Sequence, residues 1–196
     1  MAVTKVIEFD AVSIKNASIQ VFENNVAGAG TSFGCVGSIE GETEVKELVK
    51  ICEGVEAKKV VIPLKMNLSV SAHIPVDVAR DIFGLSNEGL KAGVFAYGPE
   101  SLGKRFIFTA DVVDEFEDVV KLIAFPNSSN ASGFQIKVEN GQDEVALLEM
   151  EFTALVDPNN KFYYEAMVTE IEEADVAIAT SWHTAFTTEL VKSLLP

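Results

Sequence analysis

The sequence is poor in the residues from which active sites and disulfide scaffolds are built. Its 196 residues include two cysteines, two histidines and one tryptophan. Neither Cys35 nor Cys52 has a second cysteine at metal-ligand spacing, and one bridge between them would not make a secreted scaffold. We therefore expect two reduced, partly buried thiols.

Basic residues are also scarce, because 15 Lys and Arg stand against 30 Asp and Glu, a net charge of −15. Residues 1–98 hold nine basic and twelve acidic groups (net −3), whereas residues 99–196 hold six and eighteen (net −12). Such a surface repels nucleic-acid phosphates and anionic membranes. Charge therefore excludes tight DNA binding, but it is compatible with DNA passing nearby without being held.

Long hydrophobic runs are missing as well. No apolar stretch reaches the length that spans a bilayer, since the longest apolar segments alternate with polar residues. The first ten residues, MAVTKVIEFD, lack the apolar core of a signal peptide. We expect synthesis and folding in a cytoplasm, with no membrane partner.

Motifs for catalysis, cofactors and metals are absent from the sequence. There is no GxSxG nucleophile turn, and the glycine-rich stretch 24–34 lacks the Lys-Ser/Thr that grips phosphate. The acidic turn 111–118 lacks the ligand order of an EF-hand loop, and His73 has no catalytic partner near it in sequence. We predict a protein that is not an enzyme, with no catalytic residue, no cofactor and no metal site.

What the chain does contain is a strict alternation from Val60 to Ile74, in which every even position is apolar. A period of two predicts a strand with one buried face and one polar face. At about 3.3 Å per residue the strand extends roughly 50 Å, far beyond the usual length. The polar-face residues are Lys65, Asn67, Ser69, Ser71 and His73. A helix over about 75–84 follows, with Pro75 in its first turn and Gly84 at its end.

Two other stretches bear on assembly. Residues 144–156 alternate in the same way, which places Glu149 and Glu151 on the side away from the core. Residues 40–59 fit helical spacing and an irregular extended arm equally well, and both remain open. The charged residues of this arm are Glu42, Glu44, Lys46, Glu47 and Lys50.

The chain is expected to be mainly β: an antiparallel β-sandwich or barrel flanked by one helix, with an extended arm. We assign residues 1–170 to this domain and residues 171–196 to a C-terminal extension. Four apolar residues recur there at four-residue spacing and predict a helix with a docking face; they are Trp182, Phe186, Leu190 and Leu194. The extension could dock on the barrel, reach a neighbouring subunit or decorate the outside.

The order of several blocks resembles the major tail protein, or tail tube protein, of long-tailed bacteriophages that infect Gram-positive hosts. The blocks are an acidic segment from Gly41-Glu42, the long strand with Pro63, IPVDVARDIFGL, GKRFIFT from Gly103, the DEFED turn, KLIAFPN and FTALVD. Together they span roughly residues 35–170, and the extension 171–196 has no counterpart in the family pattern.

The resemblance implies a tail-tube-like β-sandwich and a structural role in the virion tail of a siphovirus, with assembly in the host cytoplasm. Members form hexameric rings that stack into a hollow tube around the tape measure protein and meet tail terminator and distal tail proteins at its ends. DNA passes through the tube during genome ejection without specific binding. The arm is then expected to bridge stacked rings, and the polar face with Glu149 and Glu151 to line the lumen.

Two other classes compete with this interpretation. A β-sandwich binding module, such as a virion adhesin or a carbohydrate-binding domain, would be favoured by exposed aromatic platforms. An acidic enzyme is the other, although choosing a catalytic carboxylate pair among 30 acids would be arbitrary.

Overall fold

The computed structural model describes residues 5–52, 55–116, 118–136 and 147–193. In these ranges nine strands and two α-helices follow one another along the chain. The strands are β1 (Ala11–Glu23), β2 (Val26–Ala27), β3 (Thr31–Ser32), β4 (Cys35–Cys52), β5 (Val55–His73), β6 (Phe106–Asp114), β7 (Val120–Asn130), β8 (Leu148–Ala154) and β9 (Tyr164–Met167). The helices are α1 (Val76–Phe83) and α2 (Ala177–Ser181), and short 3-10 turns occupy Val168–Glu170 and Glu173–Asp175.

The strands form one antiparallel sheet in the order β2-β1-β6-β7-β8-β5-β4, with β3 added to β1 and β9 to β7. The sheet changes direction within β7: residues 121–124 pair with β9, whereas residues 128–130 pair with β8. One layer therefore contains β1, β6, the first half of β7 and β9, and the other contains β8, β5 and β4. The mainly β sandwich expected from the sequence is confirmed.

The core between the layers is built from the inward residues of both. Phe152 of β8 lies edge-on to Phe33 and Phe106, with ring centroids 6.1 and 4.9 Å apart. Phe33 in turn meets Phe108 at 4.9 Å. Edge-to-face packing of this kind adds to the hydrophobic gain from burial. Six of the thirteen phenylalanines of the sequence are buried in this core; they are Phe33, Phe83, Phe106, Phe108, Phe125 and Phe152.

Helix α1 closes one end of the sandwich. Pro75 precedes its first turn, and Gly84 ends it in the left-handed conformation at φ 71°, which glycine adopts without steric penalty. The helix buries Val78, Ile82 and Phe83 against the core. No helix in the described ranges has the length and apolar character needed to span a bilayer.

The extension lies on the opposite face of the β1-β6-β7 layer, over a second apolar cluster. Trp182 and Phe186 are buried there against Ile107, Leu122 and Ala124. The prediction of a helix over Trp182, Phe186 and Leu190 was wrong: α2 ends at Ser181, before all three, and the docked aromatic residues follow outside any helix. Leu190 is half-buried, and Leu194 lies outside the described residues.

Candidate functional site

The outer face of the β4-β5-β8 layer brings together all seven polar-face residues singled out from the sequence. In the pairing register Ser71 lies between Ser38 and Glu149, and Ser69 lies between Glu40 and Glu151. Partners directly opposite in antiparallel strands point to the same side of the sheet. We call this surface the acidic face; its residues are Glu40, Glu42, Glu44, Lys65, Asn67, Ser69, Ser71, His73, Glu149 and Glu151.

Acids dominate the acidic face. Five glutamates surround one lysine, and Lys65 is already paired with Glu44, its cross-strand partner, at 3.2 Å between Nζ and Oε2. All five glutamates are exposed. The surface is therefore wetted and strongly negative, with hydroxyl and amide groups between the carboxylates.

The residues expected to form an arm belong to a long β-hairpin. Both β4 and β5 run far past the rest of the sheet, since the pairing of β5 with β8 ends at Met66 and Ala154. Beyond that point β4 and β5 pair only with each other among the described strands. We call residues 44–52 and 55–64 the ribbon. Of the two conformations left open by the sequence, the ribbon adopts the extended one.

The ribbon exposes apolar side chains that the alternation had predicted to be buried. On β5, Leu68, Val70 and Ala72 are buried as expected, but Val60 and Leu64 are 43% and 47% exposed. The rest of the exposed apolar set includes Val45, Leu48, Val49, Ile51, Val55, Val61 and Ile62. The prediction of one continuous buried face was therefore wrong for residues 60–64, because no described element covers them. The expectation of partly buried thiols was also wrong, since Cys35 and Cys52 are both exposed.

The two faces of the ribbon differ in charge. A register shift leaves Leu64 without a direct partner, so the alternation of sides does not continue unbroken from the sheet into the ribbon. Beyond the shift, the lysine face consists of the cross-strand pairs Lys46–Ile62, Leu48–Val60 and Lys50–Lys58. The valine face consists of Val45–Pro63, Glu47–Val61 and Val49–Lys59, and Lys59 neutralises Glu47 at 2.7 Å.

The predicted arm residues are thus divided among three surfaces. Glu42 and Glu44 lie on the acidic face, and Glu47 lies on the valine face. Lys46 and Lys50 lie on the lysine face. Glu47 is separated from the other four by ordinary alternation along β4, since Glu42, Glu44, Lys46 and Lys50 all hold even positions.

A second polar cluster, which sequence reasoning missed, holds the extension in place. His183 Nε2 lies 2.7 Å from Asp111 Oδ1, and its Nδ1 lies 3.0 Å from Thr109 Oγ1. Asn16 donates to the other oxygen of Asp111 at 2.6 Å. The chain of contacts Thr109–His183–Asp111 resembles a catalytic triad, in which a hydroxyl is the nucleophile, a histidine is its base and a carboxylate orients the histidine. Thr109 is only 2% exposed, however, so no substrate could reach it. The cluster is structural.

Neighbouring bonds support the same role. The Gln20 side chain donates to the carbonyl of Phe186 at 3.1 Å and accepts from its N–H at 2.6 Å. The Trp182 indole donates to the carbonyl of Ile123 at 3.0 Å. Each buried polar group of the docked segment named here therefore has a partner, as burial requires.

The acidic turn after β6 is also explained by local structure. The Asp114 carboxylate accepts from the N–H groups of Asp118 and Val119, both at 3.2 Å, and so caps the turn. A hydrogen bond to Asp114 raises the pKa of Asp118 above its usual value. Among the described residues, no group of three or more His, Cys, Asp or Glu has the arrangement of a metal site.

Neither a protein-family model nor a curated protein sequence matches this chain. Among solved structures the chain is similar to the anti-feeding prophage cap (AFP tube terminating cap), determined by cryo-EM. The TM-score is 0.43 at 10% sequence identity, and the match covers 85% of this chain and 99% of that one.

Proposed function

We propose that this chain is the tail tube protein of a long-tailed bacteriophage: a structural subunit that forms hexameric rings, which stack into a hollow tube. The observation that carries the proposal is the ribbon. It is an ordered two-stranded element with exposed apolar side chains on both faces and no described partner on either edge.

A ribbon of this kind is poorly stabilised by its own subunit. An isolated two-stranded hairpin is marginally stable in water, and long unpaired strand edges promote pairing with other chains. Within a ring or between rings, neighbouring copies would cover these edges and faces. In the assembled tube the ribbon would contact a neighbouring copy, and this contact would connect one ring to the next.

The acidic face suits a channel for DNA. DNA carries one negative charge per about 1.7 Å of helix axis, so a conduit must avoid holding its phosphates. Six copies at −15 place −90 on each ring. Salt limits the range of this field to about 8 Å, so it acts on DNA that passes close to the wall. In this proposal the acidic face lines the lumen, where Ser, Asn and Glu side chains keep a hydrated, repulsive wall.

The remaining assignments follow from the same proposal. Inside the tube the partner is the tape measure protein, and at its ends the partners are the tail terminator and distal tail proteins. DNA passes without specific binding, and no membrane, cofactor or catalytic step is involved. The protein resides in the virion tail and assembles in the host cytoplasm.

Negative-stain microscopy of the purified protein near neutral pH tests the proposal. We expect tubes or six-fold rings. Persistent monomers that bind a glycan would overturn it in favour of a binding module. The one tryptophan of the sequence, Trp182, is 1% exposed and cannot serve as the sugar platform of such a module.

A further inference from the structure

The lysine face of the ribbon carries three positive charges and no acid. Lys50 lies directly opposite Lys58, and like charges in that position repel. None of Lys46, Lys50 and Lys58 forms an ion pair within the described residues. Between these lysines, Leu48 and Val60 are 47% and 43% exposed. A complementary binding surface would therefore contain both acidic and apolar side chains.

The ribbon also extends beyond its own subunit. Its β5 half comprises residues 55–64, which at about 3.3 Å per residue reach about 33 Å past the sheet. A surface on another molecule is thus within reach, and in a self-assembling protein the available molecule is a second copy.

The same chain offers a surface with the complementary chemistry. Residues 162–191 contain six acids and no Lys or Arg. Within them, segment 168–176 combines the exposed Glu172 and Asp175 with Val168 and Val176, which are 38% and 59% exposed. Exposed acids therefore lie between exposed apolar side chains in this segment, whereas on the ribbon exposed apolar side chains lie between lysines.

This acidic segment is held firmly on its own subunit. The N–H of Val6 donates to Glu170 at 2.8 Å on one side, and the buried Trp182 anchors the chain shortly after the segment. Binding would therefore require little ordering of the segment, which favours affinity.

We propose that the lysine face of the ribbon docks on segment 168–176 of a second copy of this chain. The inference rests on the proposed self-assembly and adds its chemistry: a contact between opposite charges framed by apolar side chains. It predicts that added salt raises the protein concentration needed for assembly, because exposed charge pairs are screened.

A charge swap tests this contact. The variant K50E/K58E retains a like-charge pair on the ribbon, so the fold is conserved while the sign is reversed. We expect it to need at least tenfold more protein to assemble, as followed by sedimentation velocity and negative-stain microscopy. The variant E172K/D175K should show the same defect, and the combination K50E/K58E/E172K/D175K should assemble at a concentration close to that of the wild type.

The control variant K91E/K161E makes the same change in net charge away from both surfaces and should assemble normally. Normal assembly of K50E/K58E would overturn the docking contact and leave the tube proposal standing. Failure of the combined variant to recover would overturn the pairing of these two surfaces. A wild type that never assembles would instead overturn the proposed function itself.

Discussion

The ribbon and the C-terminal extension both leave the sandwich, yet their surfaces are satisfied in opposite ways. In the extension, Trp182 and Phe186 are buried and the polar groups around them are paired within the subunit. In the ribbon, apolar side chains from Val45 to Leu64 remain exposed, and beyond β8 no described strand pairs with either edge. The extension completes one subunit, whereas the ribbon has the properties of an element completed by another.

Removing the ribbon should have the largest effect on assembly, and it tests directly whether the ribbon is completed by another subunit. Lys46 and Ile62 are direct partners, and Ile62, unlike Pro63, has an N–H to donate across a turn. Replacing residues 47–61 by Asn-Gly therefore closes the hairpin with a turn suited to two strands. We expect a folded subunit, with its circular dichroism and melting transition retained, that forms no tubes by microscopy. Long tubes from this variant would show that the ribbon is not the connector between rings.

Opening the extension should have the reverse result, with stability lost inside the subunit. Replacing Trp182 by Ala empties a buried aromatic site and leaves the carbonyl of Ile123 without its donor. Large-to-small changes of this kind cost about 3–5 kcal/mol. Urea denaturation should report that loss, whereas Val176→Ala on the exposed part of the extension should change stability by less than about 0.5 kcal/mol.

A loss below about 1 kcal/mol for Trp182→Ala would contradict the docked arrangement, because measured costs for buried aromatic residues lie well above it. It would indicate that the extension leaves the sheet in solution. The contrast between the ribbon and the extension would then disappear, since each of them could bind a neighbouring copy.

The same contrast can be sharpened within a single strand. Leu68 is 2% exposed and Leu64 is 47% exposed, four residues apart on β5. In the isolated subunit Leu68→Ala should cost about 2–5 kcal/mol, and Leu64→Ala less than about 0.5 kcal/mol. In assembled material, however, Leu64→Ala should lower the melting temperature, since the ring would bury that side chain. Equal effects of Leu64→Ala in the two states would contradict burial on assembly.

This pair also shows what the sequence could and could not predict. A period of two correctly assigned Leu68, Val70 and Ala72 to one buried face, because alternation fixes which residues share a side. It carries no information on whether a second layer covers that side. Leu64 continues the same alternation and is exposed, so the alternation does not indicate where the buried part of β5 ends.

Two further differences have similar physical reasons. Proline usually ends or interrupts a strand, yet β7 continues through Pro126 to Asn130, because Pro126 falls in a register shift against β6 where no ladder N–H is needed. The Asp111–His183 contact joins residues 72 apart in sequence, and no local pattern reports such a pair. The dipeptide Asn140-Gly141, which is typical of a tight hairpin turn and predicts one here, lies outside the described residues.

The smallest effect on folding should come from the acidic face. Glu149 and Glu151 are exposed and share that face with Ser69 and Ser71. Replacing both by Lys should change the free energy of unfolding by less than about 1 kcal/mol, since exposed charges contribute little. A matched control is E88K/E100K, which changes the net charge equally in the exposed loop after α1.

The rate of DNA ejection should differ between E149K/E151K and E88K/E100K particles, even though the stability of the two variants is similar. If the acidic face lines the lumen, each ring of the E149K/E151K variant gains twelve lysines where DNA passes, and these can hold phosphates as counterions are released. Particles should then eject DNA more slowly than the wild type, and the delay should shrink as salt is raised. E88K/E100K particles should eject at the normal rate. Unchanged ejection by E149K/E151K particles would place the acidic face outside the lumen, and the repulsive wall would have to be sought on another surface of the subunit.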